Sequence, residues 1–257
     1  MDCQIEREGK RLSEKKVSPV FKALKAVVKA FYPRYTFEGL EQLPDEPCLI
    51  IANHVQAHGP LACELWFPIP RYTWCIGQML HAKEVAEYAY TDFWSHKPRS
   101  VRWFYKLCAH VLAYPAAFIM QNANTIGVYK DHRLVSTFRQ TANTLLGGHS
   151  VVIFPECYDE YNNIVNRFQE GFVDAARLYH RKTGKEIAFV PLYLAPRLRK
   201  GVFGVPVRFD ASAKMEDERP RICEHLMEEI TRVARALPRH TVVPYPNIPK
   251  KDYPTNI

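Results

Sequence analysis

The chain has no apolar run long enough to span a bilayer, no Cys-x-x-Cys pair, no low-complexity tract and no internal repeat. Each absence excludes a class of protein. The longest apolar stretch, Leu107 to Met120, is interrupted by His110 and Pro115. A span needs about 20 residues, so this stretch reads as a buried or interfacial helix. Seven widely spaced cysteines, an odd number, argue for reduced thiols rather than a disulfide framework or structural zinc site. Without a repeat, solenoids and propellers drop out. The polar opening MDCQIEREGKRLSEKK lacks the apolar core of a signal peptide, so a cytoplasmic location is expected.

What is present fits a globular enzyme or binding domain. Of 257 residues, 47% are hydrophobic and 24% charged, enough to build one sizeable core. The net charge of +8 calls for an anionic partner such as lipid headgroups, CoA phosphates or an acidic carrier protein. Nucleic acid is the weaker choice, because the Lys and Arg residues are scattered and no zinc-finger, RNP-like or basic-zipper pattern accompanies them.

Residues 1–34 read as a charged leader followed by an N-terminal amphipathic helix. In VSPVFKALKAVVKAFYP, Phe21, Leu24, Val28 and Phe31 recur at helical spacing beside a stripe of Lys22, Lys25 and Lys29. Two readings stay open: a core helix with a solvated face, or an interfacial helix whose lysines meet anionic lipid. In a second segment, Arg99, Arg102 and Lys106 flank Trp103, Phe104 and Tyr105 ahead of an apolar stretch. That pattern suits either a headgroup boundary or packing on a sheet.

From 35 to 240 apolar β-rich runs alternate with helical patterns. Strands are expected at 35–39, 48–52, 124–129, 151–154, 187–194 and 205–209, and helices near 60–67, 100–114, 132–147, 167–183 and 216–237. Continuous apolar strands separated by helices imply an α/β fold, a largely parallel central sheet flanked by helices on both faces. Residues 241–257 read as a Pro-rich C-terminal tail.

Ligands of such sheets sit beyond the carboxyl ends of the strands. After CLIIA come Asn53 and His54, and an imidazole released there can act as a general base, although a strand-end histidine is often structural. After NTIGVY comes Lys130, placed either to clamp a phosphate or to solvate a charged turn. After VVIF come Phe154, Pro155, Glu156, Cys157 and Tyr158. Proline breaks the ladder there, so Glu156 opens a loop in which it can orient a hydroxyl donor or a cation.

The order and spacing of these blocks carry a resemblance. Asn53-His54, Ile126-Gly127-Val128-Tyr129-Lys130, Phe154-Pro155-Glu156 and Val190-Pro191 look like the four ordered blocks of the glycerolipid acyltransferases. Phe168 and Gly171 match the Phe-x-x-Gly that follows the third block, and the similarity covers roughly residues 35–237. The resemblance implies an acyltransferase-like fold and transfer of a fatty acyl group from acyl-CoA or an acyl carrier protein to a lysophospholipid or related hydroxyl acceptor. His54 would be the base, Lys130 would hold an acceptor phosphate, and Glu156 would position the acceptor hydroxyls or the surrounding loop. Asn53, Phe154, Pro155, Cys157 and Tyr158 would line the substrate. No cofactor or metal is implied beyond the thioester co-substrate, and the place of work would be the inner membrane face.

The chain departs from that pattern at its centre. The aspartate expected five places after the histidine is Gly59, Lys130 stands for arginine, Tyr129 for aspartate, and Cys157-Tyr158 for Gly-Thr. Three explanations follow. Another group can orient His54: His58 lies one helical turn away, and Glu64 and Asp159 are the next carboxylates to inspect. Alternatively the chain is a catalytically inactive homologue that binds lipid or acyl thioester. The third is a metal-dependent hydrolase built on His54, His58 and a carboxylate, but the glutamate inside a zincin motif is missing. Cys157 reads as an inert thiol rather than a nucleophile, having no histidine beside it in sequence.

Overall fold

Three runs of the chain, Leu49–Ala52, Ser150–Ile153 and Ala188–Ala195, are buried at every position, which requires cover on both faces of the sheet they form. The computed structural model describes residues 17–91 and 98–257, so the leader 1–16 lies outside the described residues. In chain order the strands are β1 (Thr36–Glu38), β2 (Leu49–Ala52), β3 (Arg71–Ile76), β4 (Thr125–Val128), β5 (Ser150–Ile153) and β6 (Glu156–Glu160). They continue with β7 (Asn166–Phe168), β8 (Ala188–Ala195), β9 (Lys200–Phe203) and β10 (Val207–Arg208). The α-helices are α1 (Pro19–Phe31), α2 (His58–Trp66), α3 (Ala82–Ala89), α4 (Arg102–Asn122), α5 (Leu134–Leu146), α6 (Asp174–Thr183) and α7 (Met215–Ala236).

An eight-stranded sheet runs in the order β1-β9-β8-β2-β5-β3-β4, with β10 added to β8. The pairs β2–β8, β2–β5, β3–β5 and β3–β4 are all parallel, while β9 and β10 lie antiparallel to β8. Alternate residues serve opposite cores, as a period of two demands. Leu49, Ile51, Val151 and Phe189 meet Ile222, Leu226 and Ile230 of α7 and Ala176 of α6. Ile50, Val152, Val190 and Leu192 meet Cys63 of α2 and Val243 near the C-terminus. Each such side chain contributes roughly 1.5–3 kcal/mol by leaving water. The sheet is therefore mostly parallel, with α/β architecture, and its central carboxyl ends converge on one pole.

Several local expectations are corrected. Strand β3 was not expected, because the buried polar residues Arg71 and Thr73 break its apolar pattern. Residues 166–168 form a strand rather than the start of a helix; β7 pairs antiparallel with β6. Pro115 does not end α4, which runs on to Asn122. The buried stripe Ala109, Ala113 and Ala117 packs against Val85 and Ala86 of α3 and holds the helix across the proline.

Helix α1 begins with Pro19, whose fixed φ suits a first turn. It docks through the buried Phe21 and through Lys25 and Lys29, one and two turns further on. Lys25 Nζ lies 2.6 Å from Glu64 Oε1, and Glu64 also pairs with the buried Arg71 at 2.7 Å. Lys29 Nζ sits 4.4 Å over the Trp66 ring. Val20, Leu24, Val27 and Phe31 consequently point outward, Phe31 with 86% of its surface exposed. The backbone N–H of Ser18 donates to Asn122 Oδ1 at 3.0 Å, joining the start of α1 to the end of α4. Trp103, Leu107, Val111 and Tyr114 of α4 are also exposed. Among the described residues no helix is long and apolar enough to cross a membrane.

Candidate active site

Strand β2 ends in Asn53, buried to 1% exposure, whose side chain donates to Leu194 O at 3.1 Å and accepts Leu194 N–H at 2.7 Å. Both ends of that amide are spent on β8, so Asn53 anchors the strand end rather than facing substrate. The chain then turns sharply. Val55 and Gln56 adopt φ of 40° and 55°, a left-handed region that costs a β-branched residue such as valine most. Gly59 makes the turn possible: a Cβ there would lie 2.5 Å from the His54 carbonyl oxygen and 3.1 Å from the Phe154 ring. The position where the resemblance places a carboxylate is filled by backbone.

Glu156 ties this turn to the sheet. Pro155 ends β5, and its carbonyl accepts Gln169 N–H at 2.9 Å. The Glu156 carboxylate, 4% exposed, accepts the His54 backbone N–H at 2.5 Å through Oε1 and the Asn166 N–H at 2.8 Å through Oε2. One side chain thus fastens the ends of β2, β5 and β7. Burial pushes its pKa up to about 7, against the lowering effect of the two N–H donors. With both oxygens engaged by backbone, Glu156 shapes the loop that presents His54.

The His54 ring is boxed by aromatic edges. Its centroid lies 5.3 Å from Phe154 and 5.5 Å from Tyr245, at interplanar angles of 65° and 73°. Nδ1 is buried with no hydrogen-bond partner among the described residues. Burial lowers the His54 pKa, with the Gln56 backbone partly opposing, so the imidazole is neutral near pH 7 and able to accept a proton.

The groups proposed to orient it lie elsewhere. His58 is exposed at the start of α2, with Nδ1 3.0 Å from the Tyr32 hydroxyl. Its pKa is lowered by partial burial and then by Arg197 and Lys250. Glu64 is committed to Arg71 and Lys25, while Asp159 is exposed. Among the described residues no three His, Cys, Asp or Glu side chains cluster as metal ligands.

Lys130 stands exposed beyond β4 and makes no ion pair among the described residues. Strand β3 separates β4 from β5, so Lys130 lies roughly 10 Å across the sheet from the Glu156 side. Its neighbours are self-contained. Asp131 and Arg133 pair at 2.8 Å, which holds Asp131 down at about 2, and the Arg133 guanidinium stacks 4.1 Å over Tyr129. Tyr129 fills the space over Gly77, and its hydroxyl lies 3.2 Å from His81 Nε2. The half-buried Cys157 donates its S–H to Arg167 O at 3.2 Å. Tyr158, 75% exposed, faces Tyr245 at 5.1 Å.

His54, Phe154 and Glu156 therefore meet in one place, with Tyr158 reaching it through Tyr245. His58, Lys130 and Cys157 stand apart from the His54 ring. Tyr245 and the Gln56–Tyr253 contact, Nε2 to hydroxyl at 3.0 Å, were not foreseen. They come from 241–257, which packs on the body with Val242 and Asn256 buried. The only hint in sequence is the aromatic and proline spacing of VVPYPNIPKKDYP.

No protein-family model matches the chain, and no curated protein matches it significantly. Among solved structures, the crystal structure of the 1-acyl-sn-glycerophosphate (LPA) acyltransferase PlsC from Thermotoga maritima is similar at 17% identity and a TM-score of 0.44. The match covers 83% of this chain and 80% of that one.

Proposed function

We propose that this chain is an acyltransferase that moves a fatty acyl group from a thioester, on CoA or an acyl carrier protein, to the hydroxyl of a lysophospholipid or related acceptor. The observation that carries the reading is a neutral, half-buried imidazole delivered by the end of a central parallel strand, its backbone N–H held by a buried glutamate. In the reaction His54 takes the acceptor's hydroxyl proton as the oxygen attacks the thioester carbonyl. The tetrahedral intermediate collapses, the C–S bond breaks, and the imidazolium returns the proton to the leaving thiolate. Glu156 keeps the His54 loop in place, and Lys130 serves as a point charge for an acceptor phosphate. No cofactor is needed beyond the thioester.

The lipid surface enters through α1 and α4. Both helices carry outward apolar side chains and are joined where Ser18 bonds Asn122, and Arg99, Arg102 and Lys106 border the aromatic end of α4. This face suits peripheral attachment to an anionic cytoplasmic leaflet. The lysine stripe of α1 has a different task from the one expected, since Lys25 and Lys29 dock the helix to Glu64 and Trp66.

Among the described residues no carboxylate bonds His54 Nδ1, which favours one rival, a homologue that binds lipid or acyl thioester without turnover. Incubation with labelled acyl-CoA and acyl carrier thioesters, plus lysophospholipids and simple alcohols, separates the two. Labelled acyl ester in the acceptor fraction is expected. Tight binding of the thioester with no ester formed would replace catalysis by binding.

A further inference from the structure

The turn that carries His54 is held in two left-handed residues, and strain of that kind persists only where its surroundings over-determine it. One face of the turn is fixed by Gly59 and Glu156. The turn is also contacted, at His54 and Gln56, by residues 240–256, a loop closed at its neck. There the His240 N–H donates to Asn256 Oδ1 at 2.8 Å, and the Asn256 N–H returns to His240 O at 3.2 Å. Asn256 Nδ2 also donates to Ala234 O at 2.8 Å, fastening the neck to the end of α7. The Val242 N–H donates to Pro254 O at 2.9 Å, so the two legs pair. His240 Nε2 lies 2.8 Å from the buried Tyr193 hydroxyl, rooting the loop in β8. From this base Tyr245 reaches the His54 ring and Tyr253 reaches the Gln56 amide two residues on.

We infer that residues 240–256 form a strap that holds the His54 imidazole in its working orientation, with Tyr245 as the positioning residue that stands in for the carboxylate excluded at Gly59. The role assigned to His54 rests on the acyl-transfer reading above; the strap's hold on the ring does not. The chemistry is that of an aromatic box. Edge-on rings at 5.3 and 5.5 Å restrict imidazole rotation. Tyr158, 5.1 Å from Tyr245, backs the arrangement from the β6–β7 ribbon. Burial and the Gln56 backbone set the basicity of His54, with no charged side chain contributing among the described residues.

The test is proton NMR of the His54 ring in the full chain, with its signals assigned by their loss in His54→Gln. The Hε1 and Hδ2 shifts are expected to be displaced by ring currents from Phe154 and Tyr245. In Tyr245→Ala they move toward free-histidine values and the ring titrates at higher pH, because burial is what lowers its pKa. Tyr245→Phe retains the ring and stays like wild type. Asn256→Ala, which unpins the neck and so loosens an otherwise unaltered Tyr245, shifts the spectrum in the same direction as Tyr245→Ala. In acyl transfer, Tyr245→Ala lowers kcat on the order of tenfold with KM little changed, and moves the acid limb of the pH profile with the ring's titration. An unchanged His54 spectrum in Tyr245→Ala overturns the proposal, as does a Tyr245→Phe variant that behaves like alanine. Displaced shifts in a wild type that transfers no acyl group would leave the strap standing and remove the acyl-transfer reading alone.

Discussion

Replacing Glu156 by glutamine probes the join between β2, β5 and β7 at a single atom. The glutamate accepts one backbone N–H on each oxygen. An amide can accept only through its oxygen, so its NH2 must oppose the other N–H, at a cost of about 1–3 kcal/mol. A second effect runs the other way. The folded-state pKa of about 7 lies above the ordinary value of 4.5. Between those pH values the folded protein keeps a proton that the unfolded chain has released. Wild-type stability therefore falls as pH rises from about 4.5 to 7 and levels off above, by about 3 kcal/mol in all. Glutamine cannot titrate and lacks this slope. Urea unfolding of both proteins at pH 5 and pH 8 should show the variant less stable at pH 5, with the deficit shrinking or reversing at pH 8. A difference in stability that is the same at both pH values would refute the claim that this carboxylate is buried against its charge.

Restoring the expected carboxylate by Gly59→Asp should not restore a dyad. Its Cβ meets the His54 carbonyl at 2.5 Å, so the variant is expected to lose about 1–3 kcal/mol in thermal unfolding with no gain in transfer rate. Lys130→Ala should raise KM roughly tenfold for a phosphate-bearing acceptor and leave a neutral alcohol unaffected, as measured by initial rates. Val27→Glu with Phe31→Glu on α1 and Leu107→Glu with Val111→Glu on α4 should abolish flotation with anionic vesicles without lowering thermal stability. Unchanged flotation would remove the lipid face. Glu64→Gln should destabilise by about 3 kcal/mol, since it leaves the buried Arg71 without its counter-charge, and should loosen α1 to limited proteolysis.

The parts legible in sequence were those whose physics is local. β2, β5 and β8 showed as continuous apolar runs because both faces are covered. His54 and Glu156 showed as polar residues placed where such runs stop. β3 stayed hidden because Arg71, which reads as a surface residue, is buried and satisfied by Cys63 O and Glu64. The helical pattern over 167–183 absorbed β7, since three residues of Asn-Arg-Phe cannot display a period. The link between Glu156 and the His54 backbone joins positions 102 apart, and nothing in either neighbourhood announces it. Tyr245 is harder still: its segment has the composition of a loose tail, and its place over His54 depends on a neck closed by a single asparagine, Asn256. The basic stripe of α1 was visible, but its direction was not, because that depends on Glu64 and Trp66 of another helix.

The most direct measurement of the central claim is acyl transfer from a labelled thioester to lysophospholipid by wild type and His54→Gln, compared after both are shown to unfold at similar temperatures. Wild type is expected to form the acyl ester, and the variant to lose activity by a factor of about 100 or more, as removal of a general base requires. Equal transfer by the two proteins, or none by either, would contradict the account.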